Sequence, residues 1–131
     1  MDAREAIEIG MRAERILVVP PEQTVGHFLS YMPMVFATPM MILEMELTSG
    51  EAIHARMAPG WVTVGTEVNI RHLAAAPVGA TIRTTAEVIE VERRVIRFVV
   101  EAFHGEVKVG EGRHGRGLVN VAQFKKRFGV T

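Results

Sequence analysis

The chain has 131 residues, 48% of them apolar, no cysteine, and fifteen basic residues that cancel fifteen acidic ones. A single domain of this length can bury a core of its own; the lack of thiols excludes disulfides and cysteine nucleophiles, and the zero net charge argues against nucleic acid as a partner. No apolar run approaches the roughly 18 residues a membrane span requires, and the opening MDAREAIEIG lacks a basic stretch leading into an apolar one, so the expectation is a cytoplasmic protein without membrane attachment.

Arg12 to Val19 reads as a first strand, stopped by Pro20-Pro21. Thr24 to Met34 is a loop or short helix broken by Gly26 and Pro33. Thr38-Pro39 reads as a helix start, with Thr38 as the cap and Pro39 at the first helical position, and the helix runs to about Met57 before Pro59-Gly60. On a helical wheel Glu46 shares one broad apolar face with Ile42, Leu43, Leu47, Gly50, Ile53, His54 and Met57, while Glu44 and Glu51 fall together on a solvated edge. A carboxylate inside an apolar stripe costs several kcal/mol unless it is paired, hydrogen-bonded or protonated, so Glu46 implies a partner or a use. Met41, Met45, Ala52 and Ala55 form a second apolar strip, which one sheet cannot also cover; a second copy of the chain is the simplest cover.

The period then changes to two. In Trp61 to Leu73, alternation sets Val62, Val64, Thr66, Val68, Ile70 and His72 on one face. Pro77-Val-Gly79 is a turn, Thr81 to Val91 and Arg94 to Phe103 are strands, and His104-Gly105 turns into a last strand, Val107 to Val121, followed by a short helix or cap, Ala122 to Phe128. The expected class is α+β, one domain over residues 1–131, with a long helix followed by four consecutive antiparallel strands that curve around it.

Asp2 is the only aspartate, so Ser-His-Asp triads and aspartate dyads have no candidate, and neither Ser30 nor Ser49 lies in a G-x-S-x-G elbow. His27, His54, His104 and His114 show no ligand spacing, and no metal is expected. Gly110 to Gly115 matches G-x-G-x-x-G but leads into strand, not helix, so it is no dinucleotide loop; its glycines flatten or bulge a strand against a ligand or another subunit. His72 is either a core histidine satisfied by a carbonyl or an acid/base group facing Glu46. Thr38 is a cap whose hydroxyl also lies at the positive end of a helix, beside N–H groups suited to an oxyanion. Gly65, alone in a valine-rich strand, marks a bulge or a close approach of ligand to backbone.

The segment V-F-A-T-P-M-M-I-L-E-M-E, Val35 to Glu46, resembles the helix entry of hot-dog thioesterases of the fluoroacetyl-CoA thioesterase type. Gly65-Thr-Glu-Val-Asn-Ile-Arg-His72-Leu-Ala-Ala-Ala-Pro77-Val-Gly79 is similar to that family's G-T-x-x-x-x-x-H-x-A-A-x-P-x-G run, and Gly112-Arg-His114-Gly-Arg116 to its last-strand G-x-H-x-R, all in the family's order from about Pro20 to Phe128. The resemblance implies a hot-dog homodimer, a dimer of dimers being an option, with the sites at the dimer interface. It implies Thr38, Glu46 and His72 as catalytic residues, Gly65 and Arg116 beside the acyl group, and coenzyme A only as part of the substrate. The segment His27 to Met34 departs from the family, being shorter, with one Phe and one Tyr. The expected substrate is therefore a short or medium acyl-CoA. An acyl-ligand-binding dimer without catalysis is the alternative, and a hydratase a weaker one, since such enzymes use an aspartate.

Overall fold

Each element ends where its sequence forces it to. The computed structural model describes residues 1–131. Strand β1 (Arg12–Val18) gives way to the Pro20-Pro21 pair, and a single turn, α1 (Val25–Phe28), precedes the long helix α2 (Thr38–Ile53). A 3₁₀ turn over His54–Arg56 closes α2. Strands β2 (Trp61–His72), β3 (Thr81–Val91), β4 (Val95–His104) and β5 (Val107–Asn120) follow, then α3 (Val121–Phe128). Gly105, at φ 61°, opens the two-residue β4–β5 turn, which requires a positive φ at that point. The Asn120 side chain caps α3 by accepting from the Gln123 N–H at 3.1 Å.

The five strands form one antiparallel sheet in the order β1-β3-β4-β5-β2. This corrects the expected run of four consecutive strands. Only β3, β4 and β5 form a meander; β2 lies beyond β5 at the far edge, and the chain crosses the sheet to reach β3. The crossing segment is held down along its way. Leu73 N–H donates to Val109 O, Phe36 N–H to Ala76 O and Gly79 N–H to Val19 O, so the backbone polar groups of a long connection stay satisfied.

A bulge interrupts β2. Gly65 pairs with Arg116, but Glu67 pairs with Gly115, leaving Thr66 as the extra residue. The alternation therefore changes sides. Thr63 and Gly65 face the helix ahead of the bulge, and Val68, Ile70 and His72 face it afterwards. The single face from Val62 to His72 drawn by simple alternation is two half-faces. His72 keeps its helix-side position; Val62, Val64 and Thr66 do not share it.

Helix α2 is also rotated from the wheel's solution. Its buried residues are Met41, Glu44, Met45, Thr48, Ser49 and Ile53, set against Ile82, Val88, Ile96, Phe98 and Val100 of the sheet. Leu43 and Leu47 point outward, at 44% and 41% exposure. Glu44, expected on a solvated edge, is buried and accepts from Arg15 Nε at 3.1 Å, while Arg15 Nη1 pairs with Glu51. Thr48 Oγ1 donates to Glu44 O and Ser49 Oγ to Met45 O, so the small polar side chains on the buried face are satisfied by their own helix. Polar groups so paired can occupy a core face that hydrophobicity alone would give to leucines.

The glycines of β5 let neighbours come close. A Cβ on Gly110 would lie 2.4 Å from Met41 Sδ, and one on Gly112 2.1 Å from Asn69 O. They make room for this chain's own helix and edge strand.

Removing the Arg15 guanidinium leaves the Glu44 carboxylate buried without its partner. Arg15→Met should cost about 2 kcal/mol, discounted for the partial exposure of Arg15. Glu51→Gln should cost clearly less. Urea unfolding midpoints measure both; an unchanged midpoint for Arg15→Met would contradict this role.

Candidate active site

The first turn of α2 is capped by the backbone of Ala37, and Thr38 is the first helical residue, not the cap. Its hydroxyl is spent elsewhere: Thr38 Oγ1 lies 2.7 Å from His72 Nδ1. The nearby backbone donors are mostly committed. Ala37 N–H donates to Gln23 O, and the Met40 and Met41 N–H groups donate to Ala37 O. Pro39 has no N–H. The Thr38 N–H is left as the open donor at this helix end, where the helix dipole favours negative charge.

His72 Nε2 is buried and has no hydrogen-bond partner. Burial pushes the His72 pKa below its ordinary value of 6.5, against a smaller opposing contribution from the Ala74 backbone. The ring is thus held neutral, with one nitrogen tied to Thr38 and the other unused. Val35, Phe36, Thr38, His72, Leu73 and Ala74 line a cleft of about 360 Å³. Its roof is the segment ahead of α2, folded back so that Gly26 N–H donates to Pro33 O; a Cβ on Gly26 would lie 2.7 Å from Met32 O.

Glu46 is half-buried at the border of the helix's packed face. Its carboxylate lies beside Gly65, where a Cβ would come within 3.3 Å of Oε2 and 3.2 Å of His114 Cε1. No ion pair or hydrogen bond holds that carboxylate. Arg116 is clamped close by. Its Nε donates to Thr63 Oγ1 at 2.9 Å and its Nη2 to Thr63 O at 2.7 Å, while its Nη1 reaches Glu46 O at 3.4 Å. Burial lowers the Arg116 pKa, and the Glu46 charge opposes that shift. Glu46, Leu47, Gly50, His54, Thr63 and Arg116 line a second cleft of about 400 Å³.

The five residues singled out from sequence therefore form two groups. Thr38 and His72 meet at the start of α2; Glu46, Gly65 and Arg116 meet two turns further along. Glu46 does not face His72 within one protomer. The imidazole beside it is His114, which sequence spacing passed over. The available signal was the two-residue step from His114 to Arg116, which puts both on one face of a strand. No group of three His, Cys, Asp or Glu side chains suited to a metal ion is present, and no helix is long and apolar enough to cross a membrane.

Residues 19–122 match the model of the fluoroacetyl-CoA-specific thioesterase family. The chain belongs to this family of thioester hydrolases. It is 32% identical over 130 residues to the fluoroacetyl-CoA thioesterase of Streptantibioticus cattleyicolor, covering 95% of this chain and 94% of that relative. A solved fluoroacetyl-CoA thioesterase superimposes with a TM-score of 0.89 at 33% identity, over 93% of this chain and 95% of that one. A hot-dog-like protein from Thermanaerovibrio acidaminovorans superimposes with a TM-score of 0.88 at 22% identity, over 98% and 95% of the two chains, and shares the fold. The architecture is the hot-dog fold, a long helix wrapped by a curved antiparallel sheet.

Burial holds both His72 and His114 below their ordinary pKa of 6.5. The unfolded chain thus binds protons before the folded one does. The stability this contributes is fully present above pH 6.5 and is lost as pH falls through the depressed folded values. The melting temperature should drop between about pH 7.5 and about pH 5.5, and drop less when both histidines are replaced by Gln. An equal drop in the double variant would contradict this.

Proposed function

We propose that this chain hydrolyses a short or medium acyl-CoA as a homodimer, with each site assembled from two protomers. The carrying observation is the division of the candidate residues: the Thr38–His72 pair and the Glu46–Arg116 group line separate clefts of one chain. A second copy supplies the missing half. Strand β2 is an edge strand with its middle, Gly65 to Asn69, exposed, and such an edge is a template for pairing. Leu43, Leu47 and Val68 add exposed apolar surface beside it. Antiparallel pairing of two β2 strands about Glu67, the middle of that run, brings the partner's His72 to the Trp61–Val62 end of the strand once the bulge at Thr66 is counted. Val62 lines the Glu46 cleft.

In this reading the thioester lies between the two groups. The Glu46 carboxylate takes a proton from water as the water oxygen bonds to the acyl carbon. The Thr38 N–H, at the helix's positive end, and the Thr38–His72 pair stabilise the developing oxyanion. The carbon–sulfur bond then breaks, and the leaving thiolate takes the proton that Glu46 removed from water, which restores the carboxylate, while the neutral imidazole of the partner's His72 stabilises the departing sulfur by hydrogen bonding through Nε2–H. Direct attack by the carboxylate, followed by hydrolysis of the anhydride, uses the same groups. Gly65 gives the acyl group access to the backbone, and the Arg116 guanidinium meets it in the cleft. Coenzyme A enters as part of the substrate, and no other cofactor is needed.

Glu46→Ala and His72→Ala should each lower kcat/KM by at least about a hundredfold. Melting temperature and dimer mass should stay near wild type. Wild-type rates in either variant, on every acyl-CoA the enzyme hydrolyses, would contradict the assignment.

A further inference from the structure

His114 is the most buried titratable side chain near the cleft, at 2% exposure, and the reaction just described gives it no step. Its hydrogen bonds assign its tautomer. Nδ1 lies 2.8 Å from Glu67 O, and a carbonyl can only accept, so Nδ1 carries the proton. Nε2 then holds a lone pair, 3.2 Å from Arg116 Nη1. Burial is the largest influence and disfavours protonation of the ring; the Glu67 backbone opposes it, the neighbouring guanidinium adds to it, and the Glu46 charge opposes it least, so the pKa lies below its ordinary value. The Glu67 carbonyl is in place because of the β2 bulge, which shifts Glu67 to pair with Gly115, next to His114. The Phe98 ring, its cross-strand neighbour, lies beside the imidazole with centroids 6.3 Å apart.

We infer that His114 is a positioning residue for Arg116: the bulge carbonyl of Glu67 sets its tautomer, and its Nε2 accepts from Nη1 to aim the guanidinium. Arg116 has five N–H donors. Thr63 takes two of them, and Glu46 O and His114 Nε2 take the two on Nη1. The one remaining is on Nη2, which lies beside Gly50, 3.8 Å from where a Cβ would be. Gly50 lines the same cleft as Glu46. A single donor is thus presented to the acyl group in a fixed direction. This inference rests on the proposed role of Arg116 at the substrate.

Two conservative variants separate positioning from packing. In His114→Gln the amide oxygen can replace Nε2 as acceptor for Arg116, but the donor to Glu67 O is lost. In His114→Asn the amide nitrogen can replace Nδ1–H, but the acceptor for Arg116 is lost. His114→Asn should lower kcat/KM about tenfold to a hundredfold, as expected for loss of a hydrogen bond to a charged group, with His114→Gln clearly milder. In an Arg116→Ala background the two variants should no longer differ. Protection of the Arg116 guanidinium N–H signals in NMR should follow the same order, retained in His114→Gln and lost in His114→Asn. The reverse order, or equal losses that persist without Arg116, would overturn the inference. If Arg116→Ala leaves all kinetics unchanged, the substrate role of Arg116 has failed, and the NMR order alone decides whether His114 positions it.

Discussion

The rotation of α2 about its own axis decides where every candidate side chain falls, and Arg15 of β1 sets it. The guanidinium reaches Glu44 on the buried face and Glu51 about two turns further on. With those two carboxylates turned toward β1, Leu43 and Leu47 must face outward, and Glu46 must fall toward β2 and β5. A helix rotated to bury the leucines would strand Glu44 from its cation, and an unpaired buried carboxylate is far more costly than an exposed leucine.

The second constraint is the bulge at Thr66. It changes which side chains of β2 look at the helix, so Gly65 ahead of it and His72 beyond it both end up on the helix side. It also delivers the Glu67 carbonyl to His114. One extra residue in an edge strand thus connects the close approach at Gly65, the Arg116 clamp and the position of His72.

Most elements were legible because their signals are local. Pro20-Pro21, Pro39, Pro59-Gly60 and Gly105 end or start structure by backbone restriction, and the alternation over Thr81–Val91 has no irregularity that reverses its sense until Val88. What escaped a local reading depends on long-range partners. Glu44 looks solvated until Arg15, 29 residues earlier, is placed beside it. Thr38 has the chemistry of a cap, but its hydroxyl bonds an imidazole 34 residues away. The crossing of the chain between β2 and β3 leaves no periodic trace. Periodicity and local chemistry pointed to Glu46, His72, Thr38 and Gly65, and the resemblance added Arg116, while His114, two residues from Arg116, had no metal spacing or nucleophile pattern to mark it.

The division of those residues between two clefts gives the central claim its test. If each site joins Glu46 of one protomer to the partner's His72, two inactive variants can complement one another. Glu46→Ala and His72→Ala dimers should be mixed, allowed to exchange subunits and assayed for acyl-CoA hydrolysis. In a mixed dimer one site holds both intact side chains and the other holds neither. Random exchange predicts recovery to about a quarter of wild-type activity. Subunit exchange confirmed by mass, with activity no higher than that of the separate variants, would contradict a site shared between protomers.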